Sequence, residues 1–272
     1  MANKVLFITQ EITPYDPESE MSKVRRQLPQ LIQEKRREIR TFMPKWGNVN
    51  ERRNQLHEVI RLSGMNLIID DTDHPLIIKV ASIQAARMQV YFIDNDDYFQ
   101  HRLMATDENG KEYRDNDERA IFYARGVLET VKKLRWCPEI IHFQGWISAF
   151  VPLYIKKSYS EEPSFRDSKV ILSLFDTDLQ SNLQEDIVNK LLLKGIEKDD
   201  VESILTPNAT YKDLYKLAIA YSDGIIQSSE NVDPELLEYA REKGIPILEY
   251  QPLEGNAEAI NNFYDNIWSQ GK

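Results

Sequence analysis

The sequence predicts one doubly wound α/β domain, a mostly parallel sheet with helices on both faces. Short continuous apolar runs alternate with segments of helical periodicity, a pattern typical of parallel strands joined by helices. Residues 55–93 change instead to strand–turn–strand patterning, which indicates an antiparallel β insertion. The 272 residues contain no internal repeat and no low-complexity linker. We therefore expect a single domain over residues 1–272 rather than two small ones.

The first β-α-β unit lies within residues 4–44. Residues 4–9 form a continuous apolar run, the pattern of a strand covered on both faces. The apolar positions of the next segment recur at helical spacing: Met21, Val24, Leu28, Leu31 and Ile32. A second strand follows over residues 38–43 and ends at Pro44. We expect a right-handed crossover and place the first strand at the centre of the sheet.

The remaining elements follow from the same patterns. Within the insertion, four stretches are extended: residues 57–62, 66–69, 76–82 and 89–93. The alternation then resumes with these elements: helix 117–133, strand 140–143, a helix to residue 157, strand 170–174, polar helical segments within 184–220, strand 224–227 and helix 234–243. Residues 244–272 are predicted to add a short strand and an amphipathic helix that cap the domain.

Charge and hydropathy exclude several classes of protein. The net charge of 34 − 44 = −10 argues against a general affinity for nucleic acid or for anionic membranes. No apolar run reaches 18 residues and no secretory cleavage pattern is present, so we expect a cytoplasmic protein without a membrane span. Cys137 is alone, which excludes an internal disulfide, and we expect it to be a small buried residue.

The sequence predicts neither a metal nor another cofactor. The four histidines lie far apart, without the spacing of a zinc site: His57, His74, His101 and His142. The acidic stretches 70–73 and 94–97 lack the glycine and the terminal glutamate of a calcium loop. We therefore interpret both acidic stretches as polar turns rather than as calcium sites.

Basic residues are concentrated near the start of the chain. Residues 1–53 carry eleven Lys and Arg against seven Asp and Glu, a net charge of +4. Most of this excess comes from Arg25, Arg26, Lys35, Arg36, Arg37 and Arg40. The pattern has two interpretations, a solvated helix face and a dedicated anion site, and the solvated face is favoured.

Ligands of doubly wound folds gather at the carboxyl ends of parallel strands, which here are the loops after Thr9, Phe143 and Leu174. Residues 4–15 (KVLFITQEITPY) resemble the opening of bacterial glycogen and plant starch synthases, the ADP-glucose-dependent glucosyltransferases of the GT-B fold. Further matching segments follow in the same order: 28–31, 42–48, 91–95, 98–99, 115–119, 138–142 and 221–224. The resemblance covers roughly residues 4–230 and implies the N-terminal Rossmann-like domain of that family.

The resemblance also shows where this chain departs from the family. At the family's Lys-Thr-Gly-Gly donor loop, the aligned residues are Pro17, Glu18, Ser19 and Glu20. They offer no lysine and no glycine, and two carboxylates repel a diphosphate. The family places its donor in a cleft between two domains, and we expect this chain to supply only the first of them.

The second and third loops depart as well. The family's His-x-His-Asp-Trp position becomes His142, Phe143, Gln144, Gly145 and Trp146, and glutamine does not titrate near neutral pH. We expect His142 to be a packed residue rather than a catalyst. In the third loop, Phe175 and Asp176 replace a polar His-Asn pair of the family.

Three functions are compatible with this pattern. The favoured one is a catalytically inactive relative of the synthases that acts as a binding or scaffold module for a protein partner. The second is an active glucosyltransferase that needs a separate chain for its other domain. The third is a module that senses a glucan or a nucleotide such as ADP-glucose.

The favoured function predicts an exposed interaction surface at the strand ends. Its aromatic members are Tyr15, Phe143, Trp146 and Phe175. Its basic members, which would steer an acidic partner, are Arg25, Arg26, Arg36 and Arg37. The C-terminal helix is expected to pack on the domain through Phe263, Tyr264, Ile267 and Trp268 and to leave this surface free.

Overall fold

The strands of the computed structural model, which describes residues 2–176 and 179–270, form a largely parallel sheet. They are β1 (Lys4–Ile8), β2 (Glu38–Pro44), β3 (His57–Glu58), β4 (Met65–Ile69), β5 (Thr72–Ile83), β6 (Met88–Asp94), β7 (Ile140–Gln144), β8 (Lys169–Leu174), β9 (Gly224–Gln227) and β10 (Ile247–Leu248). Their order is β10-β9-β8-β7-β1-β2-β6-β5-β3, and β4 pairs with β5 off this path. The six pairs from β10 to β6 are parallel. The predicted fold class and the central first strand are confirmed.

Helices cover both faces of this sheet. They are α1 (Glu20–Glu34), α2 (Asn116–Lys133), α3 (Val151–Lys156), α4 (Ile187–Leu191), α5 (Tyr211–Ala220), α6 (Pro234–Glu242) and α7 (Leu253–Ser269). Short 3₁₀ turns lie between some of them, including one over Trp146–Ser148. In the described ranges, no helix combines the length and the apolar character that crossing a bilayer requires.

The antiparallel part of the sheet differs from the predicted insertion at its end. Strand β5 pairs antiparallel with β3, β4 and β6, as the patterning indicated. Strand β6, however, also pairs parallel with β2. Residues 88–93 therefore belong to the main sheet as well. One edge of β6 pairs with the parallel strand β2 and the other with the antiparallel strand β5.

The core divides between the two faces of the sheet according to strand alternation. In β1, Leu6 and Ile8 point into the larger cluster, which includes α2, α3 and α5. Val5 and Phe7 point into the second cluster, under α1 and α7. Helix α7 contributes these buried side chains to the second cluster: Ile260, Phe263, Tyr264 and Ile267. This packing buries the face of β1, β7, β8 and β9 that would otherwise meet water.

Polar contacts fix α7 against the start of the chain. The Arg37 guanidinium donates from Nε to Asn261 Oδ1 at 2.8 Å and forms an ion pair with Asp265 at 3.1 Å. Arg37, which directly precedes β2, is thus buried against α7. Cys137 is exposed in the loop before β7, so its predicted burial is wrong.

Candidate functional site

The three loops singled out from the sequence lie at one edge of the sheet. Strands β1, β7 and β8 are neighbours and parallel, with Ile8 opposite Phe143 and Gln144 opposite Ser173. The chain after each strand therefore emerges on the same side. Parallel strands of a doubly wound sheet present their ligand sites at this edge.

The first loop is closed by hydrogen bonds within itself. Ser19 is the N-cap of α1, and its Oγ accepts from the Ser22 backbone N–H at 2.9 Å. In return, the Ser19 N–H donates to Ser22 Oγ at 2.8 Å. Ser19 Oγ also donates to Glu11 Oε1 at 2.6 Å. These two amides are therefore already used by a capping box and do not point at a ligand.

Carboxylates surround this loop. Pro17, Glu18 and Glu20 are exposed, and Glu18 forms a surface ion pair with Lys23 at 2.9 Å. Asp16 is buried, and burial raises its pKa to about 7. The Ile12 N–H donates to its carboxylate, which partly opposes this increase in pKa. Sequence reasoning missed Asp16, whose only signal was its place in the first strand-end loop.

In the second loop, Gln144 and Gly145 occupy the positions where the family carries His and Asp. The fully buried Gln144 donates from Nε2 to Thr9 Oγ1 at 2.5 Å. Gly145 adopts a φ of +80°, and a Cβ there would lie 2.5 Å from Gln10 Oε1. Trp46 donates from Nε1 to the Gln10 carbonyl oxygen at 2.8 Å. The site is packed with neutral amides and contains no titrating group at these two positions.

The predicted aromatic surface is wrong, because all four rings are buried. Their exposed fractions are 6% for Tyr15, 0% for Phe143, 4% for Trp146 and 9% for Phe175. Tyr15 packs edge-on against Phe92, with 4.9 Å between ring centroids. The 3₁₀ turn after Gly145 places Trp146 between Trp46 and Tyr211, whose centroids lie 6.3 and 6.1 Å away. The fold's own side chains thus cover these rings.

The basic part of the predicted surface is also reduced. Arg25 and Arg37 are buried, with 2% and 4% exposure. Arg26 is half-buried and donates to Gln30 Oε1 at 2.9 Å. Arg36 is exposed just after α1. Two of the four arginines therefore reach water, and the other two face the protein interior under α7.

His142 lies behind the strand ends in a buried polar cluster. Its Nε2 lies 3.3 Å from Arg25 Nη1 and 2.6 Å from Ser173 Oγ, and its Nδ1 lies 2.5 Å from the Tyr264 hydroxyl. Burial and the neighbouring Arg25 charge hold the His142 pKa well below its usual value. It is a neutral, packed residue, whereas Asp176, at the end of the third loop, is exposed.

An open groove of about 680 Å³ lies beside the first loop, between it and strand β5. Its lining is mixed, with the polar side chains of Arg53, Asn54, Gln55, His57, Ser82, Gln84 and Gln89 beside Pro14, Tyr15, Val80, Ala81, Ile83 and Ala85. Its size falls in the range of small-molecule sites. Among the residues whose positions are described, no three of His, Cys, Asp and Glu are grouped to hold a metal ion.

The match to known proteins extends over most of the chain. A family model described as the starch synthase catalytic domain matches residues 4–247. The chain belongs to this family. The glycogen synthase of Chlorobium limicola is 32% identical over 231 residues, which cover 82% of this chain and 47% of that protein. The glycogen synthase of Pelodictyon phaeoclathratiforme is 34% identical over 190 residues, 70% of this chain and 39% of that protein.

A solved structure shares the fold of this chain. The catalytic domain of starch synthase IV from Arabidopsis thaliana, solved with ADP and acarbose, superposes with a TM-score of 0.73 at 15% identity. The superposition covers 92% of this chain and 51% of that one. The resemblance predicted from the sequence is confirmed, and this synthase-family chain spans less than half the length of the curated relatives named above.

Proposed function

We propose that this synthase-family domain is a non-catalytic binding module that does not transfer glucose from ADP-glucose. The closed first loop is the observation that carries the proposal. The amides of Ser19 and Ser22 are used by the capping box, and the exposed carboxylates of Glu18 and Glu20 border the same loop. No lysine stands in this loop.

Transfer from a nucleotide sugar needs positive charge or free N–H donors where the diphosphate leaves. Glu18 and Glu20 place negative charge there instead, and the ion pair with Lys23 compensates only Glu18. Gln144 and Gly145 supply no acid, base or charge at the second loop. These residues argue against catalysis from within the domain itself.

The decisive experiment measures incorporation of labelled glucose from ADP-glucose into glycogen by the purified protein. The Chlorobium limicola glycogen synthase serves as the positive control. We expect no incorporation, either by the chain alone or after addition of the second domain of that synthase. Incorporation by the chain alone contradicts the proposal. Incorporation only with the added domain favours a glucosyltransferase assembled from two parts.

The groove beside the first loop favours a glucan as the macromolecule bound. Amide, hydroxyl, imidazole and guanidinium groups line it, and such groups donate to and accept from sugar hydroxyls. Electrophoresis through gels containing glycogen measures such binding as retardation. We expect retardation of the wild type and its loss in the double variant Arg53→Ala, His57→Ala. Without retardation, a protein partner captured from native lysate becomes the favoured ligand.

A further inference from the structure

Arg25 is a buried cation without an acidic partner among the residues whose structure is described. Its side chain is 2% exposed on α1. His142, Tyr264 and Phe175 surround it, with the Phe175 ring centroid 5.4 Å from Cζ. His142 is neutral, and burial raises the pKa of the Tyr264 hydroxyl, so neither supplies negative charge.

The unpartnered donors of Arg25 lie on one edge of the guanidinium. Nη1 is 3.3 Å from His142 Nε2, which accepts because a guanidinium only donates. Nε and Nη2 are buried and have no hydrogen-bond partner within residues 2–176 and 179–270. These two nitrogens form the edge on which parallel N–H groups match the two oxygens of a carboxylate or a phosphate.

This arrangement is unfavourable unless the edge is occupied. An unpaired buried charge carries a desolvation penalty that only an opposite charge or good hydrogen bonds offset. Burial lowers the Arg25 pKa to about 9, so the guanidinium still carries its proton at neutral pH. The charge is therefore present, and two of its donors are unsatisfied.

Arg25 contacts Phe175, close to the end of β8. Phe175 directly follows β8, at the edge of the sheet where doubly wound folds bind their ligands. Its ring covers one side of the guanidinium in a cation–π contact. His142 fixes the opposite end through Nη1.

We propose that Arg25 binds an oxyanion, a phosphate or a carboxylate group of a ligand, through its Nε–Nη2 edge. The site is distinct from the first loop and from the groove beside that loop. It holds whether or not the domain transfers glucose, so the glucose-incorporation assay does not test it.

Thermal unfolding in sodium phosphate, sodium acetate and sodium chloride at constant ionic strength tests the proposal. An oxyanion that binds only the folded protein raises the Tm in a saturable way. We expect phosphate or acetate to raise the wild-type Tm and chloride to leave it unchanged, and the more effective oxyanion identifies the ligand group. Arg25→Met removes the charge, Arg25→Lys keeps it without the fork, and Arg26→Met is the matched control on the same helix.

We expect Arg25→Met to lose the response, Arg25→Lys to bind at least about tenfold more weakly, and Arg26→Met to respond like the wild type. Without oxyanion, Arg25→Met should be at least as stable as the wild type, because it removes an unpaired buried charge. A purely structural Arg25 predicts the reverse, a lower Tm for Arg25→Met and no oxyanion response in any variant. A response that persists in Arg25→Met overturns the proposal as well.

A carboxylate of the chain itself is the remaining alternative. Asp178 follows Phe175 by three positions and lies outside the described residues. We expect Asp178→Asn to keep both the wild-type stability and the oxyanion response. If the wild type ignores oxyanions and Asp178→Asn responds to them, the chain occupies Arg25 and the proposal is wrong.

Discussion

His142 on β7 and Tyr264 on α7 are joined by a buried hydrogen bond of 2.5 Å between Nδ1 and the phenol oxygen. Because Arg25 Nη1 donates to Nε2, the proton of the neutral imidazole lies on Nδ1 and is donated to Tyr264. The bond ties the C-terminal helix to the middle of the sheet, between residues 122 positions apart. The bond therefore fixes the position of α7 along the sheet, which its apolar contacts alone define less closely.

Tyr264→Phe should therefore lower the free energy of unfolding by about 1–3 kcal/mol, since it leaves the buried His142 N–H without an acceptor. Urea unfolding measures this change. Tyr239→Phe is the matched control, because Tyr239 lies on α6, is only partly buried and makes no such buried hydrogen bond among the described residues. Equal midpoints for the two variants would contradict the role assigned to the bond.

Gly145 offers a second test, of the packing between the first and second loops. Gly145→Ala strains a backbone with φ of +80° and forces a Cβ against Gln10. Gly110 has φ of +79° and open space around it, so Gly110→Ala reports the strain of a positive φ without a clash, about 1–2 kcal/mol. Gly145 also has ψ of 157°, a conformation essentially restricted to glycine, so its backbone strain is larger. We expect Gly145→Ala to cost about 1–3 kcal/mol more in unfolding free energy.

A double variant separates the contact from the backbone. Gln10→Ala combined with Gly145→Ala should recover part of that additional loss, because it removes the contacts with Gln10 Oε1 and Cδ and leaves only the contact with the Cβ of residue 10, at 2.7 Å. Strictly additive effects in urea unfolding would show that the Gln10 amide group does not limit the space at Gly145.

Local pattern predicted most of the fold. Continuous apolar runs gave the parallel strands, and the ordered match to the synthases gave their arrangement. The burial of the aromatic residues could not be predicted in this way. One ring that covers Trp146 is that of Tyr211, which lies 65 positions later in the chain, on α5. Sequence patterns alone lead one to expect that loops at strand ends are exposed. Only the tertiary structure shows that the loop after β7 folds back onto the protein.

Arg25 illustrates the same limit. In the sequence it is one of six basic residues, and a solvated helix face was the favoured interpretation. Its burial is set by Tyr264 and by Phe175, which approach from α7 and from the end of β8. Charge patterning within one helix cannot show which residue will be covered by a distant element.

Asp16 makes the stability depend on pH. Its folded-state pKa of about 7 lies above the ordinary value of 3.8, so the folded protein binds more protons between these values. The contribution of Asp16 to the free energy of unfolding therefore falls as the pH rises from about 4 to 7 and is constant above that range. Asp16→Asn should weaken this fall and be more stable than the wild type at pH 8 by about 2–4 kcal/mol.

Urea unfolding at pH 5 and pH 8 gives the comparison. The raised pKa of Asp117, about 6, acts in the same direction in both proteins, so the difference between them reports Asp16. An identical pH dependence in the wild type and in Asp16→Asn would show that the Asp16 carboxyl titrates normally.

The last prediction concerns the donor loop. The triple variant Pro17→Lys, Ser19→Gly, Glu20→Gly restores the lysine and both glycines, removes one carboxylate and frees the Ser22 amide from the capping box, although the amide of residue 19 still donates to Ser22 Oγ. A glycine N-cap costs only a few tenths of a kcal/mol, so the helix should persist.

Calorimetry should then show tighter binding of ADP to the triple variant than to the wild type. Glucose incorporation into glycogen should stay absent, because Gln144 and Gly145 still leave the second loop without a titrating group. Lys23→Gln is the control. It removes a positive charge beside the loop and should not gain ADP binding. Turnover by the triple variant would show that the first loop alone blocks catalysis.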